Sequence, residues 1–389
     1  MTTTRRRSGL IAPDRVDDVF DKPGSLRAIA VLRVVLGPVV VLHLWPDVTA
    51  AWDGDSYLDH FNEPWFSFLP QIPAWVQYGL VHVGVVAAVA MMLGWRIRLV
   101  APLTAACVTG NMFLSQTHFR HNRAFLILLL WTVAISAVST LSKCPKATHS
   151  PTSGPTNGGG DDRLWGQTGG VGELRDEVGT LWPMWTMRVL ASSVYFASGF
   201  SKLIDPDWVG GLVLWDRSVR YQHAVTERVP GVLGEWLVDI ITTRWVHAVA
   251  SPIAVAMELF IAVGLWFART RMAAVWVAVF FHLSIEASAS VEVFSLAAIA
   301  ALVIWTTPNI RDRLVTVPDG TWIRRLDWLA RFEFAEGDGL SVVDRDGRVS
   351  AGRDAGWVIA SRLPLTFMIA APMVTVARWR RRRTDSSVP

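Results

Sequence analysis

Apolar residues along this chain come in long runs with few interruptions. Strands would alternate apolar and polar positions, and surface helices would show a narrow stripe. Eight runs approach the roughly 20 residues that a helix needs to cross a bilayer, at about 26–45, 74–93, 97–115, 122–141, 184–204, 246–267, 272–290 and 292–307. The tight basic turn GWRIR joins the second and third runs. The first is followed by an extramembrane loop holding Asp47, Asp53, Asp55, Asp59 and Glu63 with several aromatics. A longer loop, about 205–245, is rich in Trp, and its stretch VPGVLGEWLVDIITT has the pattern of an interfacial amphipathic helix.

The pattern predicts an all-α polytopic membrane protein of about eight transmembrane helices with a small C-terminal segment, α+β being one fold open to it. Residues 1–24 form an N-terminal tail, 25–310 the transmembrane domain and 311–389 the C-terminal segment with its basic end. Gly, Ser and Pro in SKCPKATHSPTSGPTNGGG mark 142–180 as a flexible loop inside the domain. The apolar stretch 356–377 is long enough for a ninth span, but it contains Arg362, Pro364 and Pro372, and crossing would export RWRRRR. A cytoplasmic or surface-lying segment is the expectation there.

Composition agrees, with 51% hydrophobic residues, 18% charged residues and 20 Trp, too apolar for one soluble domain of this length. Arginines gather in the N-terminal tail and at Arg96, Arg98, Arg269, Arg271, Arg311 and Arg313. Eight spans put all of these on one side, which the positive-inside rule makes cytoplasmic. The expected location is the plasma membrane, multi-pass, with both termini cytoplasmic and membrane lipids as surroundings. The arginines within 205–245 run against the rule. No basic face on a soluble module points to nucleic acid. The two cysteines, Cys107 in an apolar run and Cys144 in a polar stretch, make no disulfide framework. The start MTTTRRRSGL lacks the apolar region of a secretory or twin-arginine leader.

Charges inside a bilayer cost about 2.5–3.5 kcal/mol each at mid-helix, so such residues face the bundle interior and ask for partners. The candidates are Arg33, His43, His82, Asn111, Lys202, Glu258, His282 and Glu286, with His118, His121, Asn122 and Arg123 at one connection. Arg33 could snorkel or pair with Glu258. His43 and His82 read mainly as satisfied core or interfacial histidines. His282 and Glu286 are four residues apart and could pair along one helix face. The orientation puts Glu286, His118, His121, Asn122, Arg123 and Lys202 toward the outer side, as an outward-facing polar pocket would.

Lys202 stands out in YFASGFSKLIDPDWVGG, because only four of the 37 Lys+Arg are lysines and the others, Lys22, Lys143 and Lys146, lie in polar sequence. The bland reading is snorkelling to the interface. The sharper one is general-base chemistry, since a desolvated lysine can give up its proton and an arginine cannot.

FASGFSKLIDPDWVGG resembles a segment of the vitamin K-dependent gamma-carboxylase family, whose bacterial relatives are the HTTM (horizontally transferred transmembrane) domain proteins. HNRAFLILLL, Arg33, Glu258 in AMELF and His282 in FFHL fit the same order over about residues 25–310. The resemblance implies a reduced, vitamin K-like quinone as cosubstrate, with Lys202 as base and Asn122 and His121 assisting. It leaves Arg33, Arg123, Glu258, His282 and Glu286 as candidates around the cofactor. Arg123 stands where the family has an assisting histidine, and no segment like the animal enzyme's lumenal part is found, which leaves glutamate carboxylation open. RRLDWLARFEF, VVDRDGRVSAGRDA and SRLPLTF resemble pieces of the DCC family of thiol-disulfide oxidoreductases. The family's cysteine pair would fall near PDGTW (318–322), where no cysteine stands, implying a degenerate copy without thiol chemistry.

The expectation is a quinone-linked enzyme, of carbon-carbon lyase or quinone-epoxidising type, that modifies a peptide or small molecule. The alternative is a non-catalytic membrane factor for maturation or export of a secreted peptide. A transporter is a weaker third class, since the chain has no inverted repeat.

Overall fold

A computed structural model describes residues 23–68, 70–139, 178–289, 293–308, 313–318, 323–344 and 347–375. The N-terminal tail to residue 22, most of the 142–180 loop, Arg311, most of PDGTW and the RWRRRR end lie outside the described residues. The long helices are α1 (Arg27–Trp52), α2 (Ala74–Leu93), α3 (Ile97–Phe113), α4 (His121–Ser139) and α5 (Trp182–Leu203). They continue with α6 (Leu212–Arg228), α7 (Val232–Thr242), α8 (Arg244–Gly264), α9 (Arg271–Ala289) and α10 (Phe294–Ala301). After Leu302 the last of these resumes as a short turn, Val303–Thr306.

Among the described residues, four helical stretches are long and apolar enough to cross a membrane: Arg27–Trp52, Ala74–Leu93, His121–Val138 and Arg244–Gly264. Ile97–Phe113 and Phe294–Thr306 are apolar but shorter. Helix α5, 22 residues long, carries Arg188 and Lys202, and α9, 19 residues long, carries Arg271, His282 and Glu286. Polar residues of both helices meet in the site described below.

Several boundaries differ from the sequence expectation. α1 runs through Pro46 to Trp52, so Asp47 is helical and not part of a loop. Each proline removes one N–H from the helix ladder, a loss tolerated where neighbouring groups re-satisfy the freed carbonyl. The 205–245 loop holds the amphipathic helix expected there, as α7, and beyond that expectation is mostly helix, through α6 and a short Pro206–Val209 turn. The end of the 142–180 loop is ordered too, since Val178–Thr180 pairs antiparallel with Pro23–Ser25.

Helices α1 to α4 pack in chain order, α5 packs against α8, and α10 touches α1, α4 and α9, joining the two groups. One continuous core runs through them, from Leu32 and Leu36 to Leu130, Met187, Ile261 and Trp305. Arg188 is buried in it, bonding the carbonyl of Ile304 through Nε at 3.2 Å and Nη2 at 2.9 Å. The faces of Trp185 and Trp305 lie 5.0 and 5.1 Å from its guanidinium, so a charge the sequence reading overlooked is caged by aromatics.

The C-terminal segment forms a separate small core. Its strands are Leu314–Val317, Glu333–Glu336, Ser341–Val343 and Val349–Ala351, the first lying parallel to the second and antiparallel to the third. Helix α11 (Gly352–Ala360) lays Ala355, Val358 and Ile359 against Val315, Val317 and Val342. The apolar stretch 356–377 is thus not one helix, because residues 361–366 form turns before helix resumes at 367–375.

Gly211, which precedes α6, has φ +78°, and a Cβ there would run into the backbone of His247. We expect Gly211→Ala to cost at least about 2 kcal/mol, from the left-handed backbone and the clash together. Gly79 sits in α2 with nothing within 4 Å of a Cβ, so Gly79→Ala should be neutral or stabilising by up to about 1 kcal/mol. Thermal unfolding in detergent checks both; equal midpoints for the two variants would contradict this account.

Candidate functional site

Lys202 ends α5 and reaches Glu258 in the middle of α8. Nζ donates to Glu258 Oε1 at 2.6 Å, with the lysine side chain 19% exposed and the carboxylate 4%. Ser198, one turn earlier, donates to the same oxygen at 3.0 Å. The helices come this close because Gly199 has no side chain: a Cβ there would lie 3.1 Å from Glu258 Cβ and Leu259.

The rest of the motif builds the cover over this pair. Asp205 caps the Pro206–Val209 turn by accepting from the Asp207 amide at 2.9 Å. The turn carries Trp208, whose ring centroid lies 4.9 Å from Lys202 Nζ and 5.5 Å from the Arg217 guanidinium. The carbonyl of Trp208 accepts from the buried Ser251 hydroxyl of α8. Gly199, Lys202, Asp205 and Trp208 of the motif therefore have physical tasks around one ion pair.

His282 on α9 is fully buried and shares a 2.7 Å hydrogen bond with the hydroxyl of Tyr195 on α5. The charge of Glu258 is felt at Tyr195 and that of Lys202 at His282, which makes the two pairs one cluster. Two buried atoms in it have no hydrogen-bond partner, Glu258 Oε2 and His282 Nδ1.

A second cluster forms around the connection between α3 and α4. The Nε2 of His118 accepts from Arg123 Nη1, and Asp47 Oδ2 lies 3.8 Å from the same nitrogen. Asn111 donates to Asp47 at 2.8 Å, while its buried Oδ1 has no partner. Tyr57 stacks on His118 with centroids 4.1 Å apart and donates to the Asn111 carbonyl at 3.2 Å. Burial, and secondarily the charge of Asp47, holds the Tyr57 hydroxyl well above its ordinary value, with Arg123 opposing.

These contacts sort the candidates differently from the single pocket expected. Glu258 pairs with Lys202, and Arg33 lies against Gly94, where a Cβ would sit 3.2 Å from its guanidinium. His282 bonds Tyr195, and Glu286 is half-buried one turn farther along α9. Arg123 joins the second cluster, Asn122 is half-buried beside it, and His121 is exposed and packs on Phe119. His82 accepts from Trp52 at 2.9 Å, the satisfied histidine expected of it. Tyr195, Ser198, Asp47 and Tyr57 were missed. Tyr195 and Ser198 precede Lys202 by seven and four residues, a helical spacing that marks one face.

A family model described as the HTTM domain matches residues 22–143 and 171–309, which hold both clusters and stop before the C-terminal sheet. Neither the curated proteins nor the solved structures gave a match.

Burial, then the charges of Arg123, His43 and Arg120, hold His118 down at about 3. Its ordinary value is near 6.5. Between those values the unfolded chain binds a proton that the folded chain refuses. The stabilisation is complete above about pH 6.5 and is lost as pH falls toward 3, by at most about 1.4 kcal/mol per pH unit. Unfolding midpoints should therefore drop between pH 7 and 4.5, and His118→Gln should flatten that slope. An unchanged slope in the variant would remove His118 as its source.

Proposed function

The chain belongs to the HTTM domain family, and from that premise we propose a gamma-carboxylase-like membrane enzyme whose Lys202–Glu258 pair takes a proton from a lipid-soluble quinol. The observation that carries this reading is the pair itself, a lysine bonded to one oxygen of a buried carboxylate whose other oxygen has no partner. Eight crossings, both termini cytoplasmic and a plasma-membrane location complete the reading. They put Lys202 at the outer end of α5. The C-terminal unit, which resembles a cysteine-less DCC copy, is assigned a scaffolding part.

A reduced quinone fits the donor chemistry of the cluster. Glu258 Oε2 is a buried acceptor suited to a hydroxyl, and His282 Nδ1 is a second buried nitrogen without a partner. When bound, the quinol supplies an ionisable hydroxyl whose anion is the reactive species. The residues of the chain manage its proton. In the proposed step the Lys202 amine takes the quinol proton, and the Glu258 carboxylate, bonded to Nζ through Oε1, stabilises the ammonium that forms. The His282–Tyr195 bond fixes the imidazole beside them.

A second reading, a non-catalytic factor for maturation or export of a secreted peptide, is favoured by the enclosure of Lys202 between Glu258 and Trp208. That enclosure is also what a purely structural lock between α5 and α8 needs.

Lys202→Arg separates the two, because arginine keeps the charge and the pair but cannot act as base. In proteoliposomes supplied with a reduced naphthoquinone, the variant should lose quinol consumption by about 100-fold or more. Its unfolding midpoint should stay near that of the parent. Quinol consumption retained by Lys202→Arg would overturn the catalytic reading and leave the structural one.

A further inference from the structure

A cavity of about 530 Å³ lies between the turn that joins α8 to α9 and the C-terminal unit. Five arginines line it, Arg269 and Arg271 from the turn and Arg313, Arg331 and Arg362 from the C-terminal unit, against one carboxylate, Asp344. Asp344 engages two of them, accepting from Arg313 Nε at 2.7 Å and from Arg362 Nη2 at 2.9 Å. Arg331 is tied through Nη1 to the carbonyl of Thr306. The Nε atoms of Arg331 and Arg362 are buried and have no hydrogen-bond partner. Burial first, then the charge of Arg313, with Arg362 and Arg271 adding and Asp327 opposing, pulls Arg331 down to about 10. Crowded guanidiniums with spare donors suit a divalent oxyanion, which relieves the repulsion and accepts from several forks at once.

The opposite wall is apolar. Phe367, Ala371 and Val374 line the cavity from the helix at 367–375. The outer side of this segment exposes Leu365, Met368, Ile369 and Met373, at 66%, 43%, 71% and 50%. No charged residue lies in 363–375. A helix in water would turn a polar face outward; one whose exposed side chains are apolar except for Thr375 at its end belongs in the membrane interface. Trp276, near the start of α9, holds the segment there by donating to the carbonyl of Pro364 at 3.1 Å.

We infer that the cavity binds a phosphate-bearing anion, the headgroup of an anionic phospholipid, with helix 367–375 lying in the membrane interface as its apolar wall. The shared chemistry with free phosphate is the oxyanion; the exposed apolar face beside the arginines favours the lipid. The site is separate from the Lys202 cluster and does not depend on the quinol reading.

The test uses the full chain purified in neutral detergent and three probes: dioctanoyl phosphatidylglycerol, dioctanoyl phosphatidylcholine and inorganic phosphate. The glycerol lipid should raise the unfolding midpoint, and the shift should shrink as salt increases. The choline lipid and inorganic phosphate at the same concentration should give little shift. Arg269 is exposed, so Arg269→Glu should leave the lipid-free midpoint unchanged. It should weaken the apparent affinity for phosphatidylglycerol roughly 25-fold, since each unit of charge near an anionic headgroup is worth about a factor of five and the reversal changes two. The double variant Arg331→Gln/Arg362→Gln should abolish the shift while native mass spectrometry still finds a folded monomeric mass envelope. Equal shifts with phosphatidylcholine would overturn the anion site, equal shifts with inorganic phosphate would overturn the lipid assignment, and unchanged affinity in Arg269→Glu would overturn the location.

Discussion

A polar group enclosed by apolar helices must be met by another helix or it costs the fold, and this constraint organises the protein around Lys202 and Glu258. Removing either partner would leave the other buried and uncompensated, a loss that can exceed what the pair contributes. The rest of the neighbourhood follows from keeping the two atoms 2.6 Å apart. Gly199 lets the helices approach, Ser198 supplies a second donor to the carboxylate, and Trp208 shields the amine. Gly211 then lets the chain turn directly past the backbone of His247.

The same demand is answered elsewhere with other means. Arg188 is held by a carbonyl and two indole faces. Arg271 donates to the carbonyls of Leu265 and Trp266 where α8 ends. Such arrangements lock helices and leave little to react. The candidate clusters leave buried acceptors unmet, Glu258 Oε2 in one and Asn111 Oδ1 in the other, whereas the unmet atom Trp305 Nε1 of the Arg188 cage is a donor. An unmet buried acceptor is expensive, so these two oxygens mark where a further donor would be accommodated at least cost.

The helices were largely legible because long apolar runs have one cheap solution. The runs at 74–93 and 122–141 correspond to Ala74–Leu93 and His121–Ser139 within a few residues. The first run was bounded at about 45, yet its helix continues through Pro46 to Trp52, a proline being tolerated where neighbouring groups re-satisfy the freed carbonyl. Helix α7 was legible in VPGVLGEWLVDIITT, whereas α6 was hidden by its polar residues, such as Asp216 and Arg220, which form an exposed ion pair one turn apart. The residue types of the site were also legible, because a lysine and a glutamate in apolar runs are costly anywhere. Their pairing was not. Lys202 and Glu258 are 56 residues apart, and several cations were available to that carboxylate. Only the packing of α5 on α8 selects among them, and that packing is a tertiary fact set by Gly199.

The use of lysine at this position can now be argued from geometry and not only from basicity. Arginine presents a planar fork that tends to bind both oxygens of a carboxylate. Placed at the end of α5, it would be expected to close off Oε2 as well as Oε1. The lysine ammonium is a point donor on a flexible stem. It engages Oε1 alone, shares that oxygen with Ser198, and leaves Oε2 buried without a partner. Lysine thus meets the electrostatic demand of Glu258 while preserving one acceptor inside the bundle. The proposed quinol site would use that acceptor for a hydroxyl.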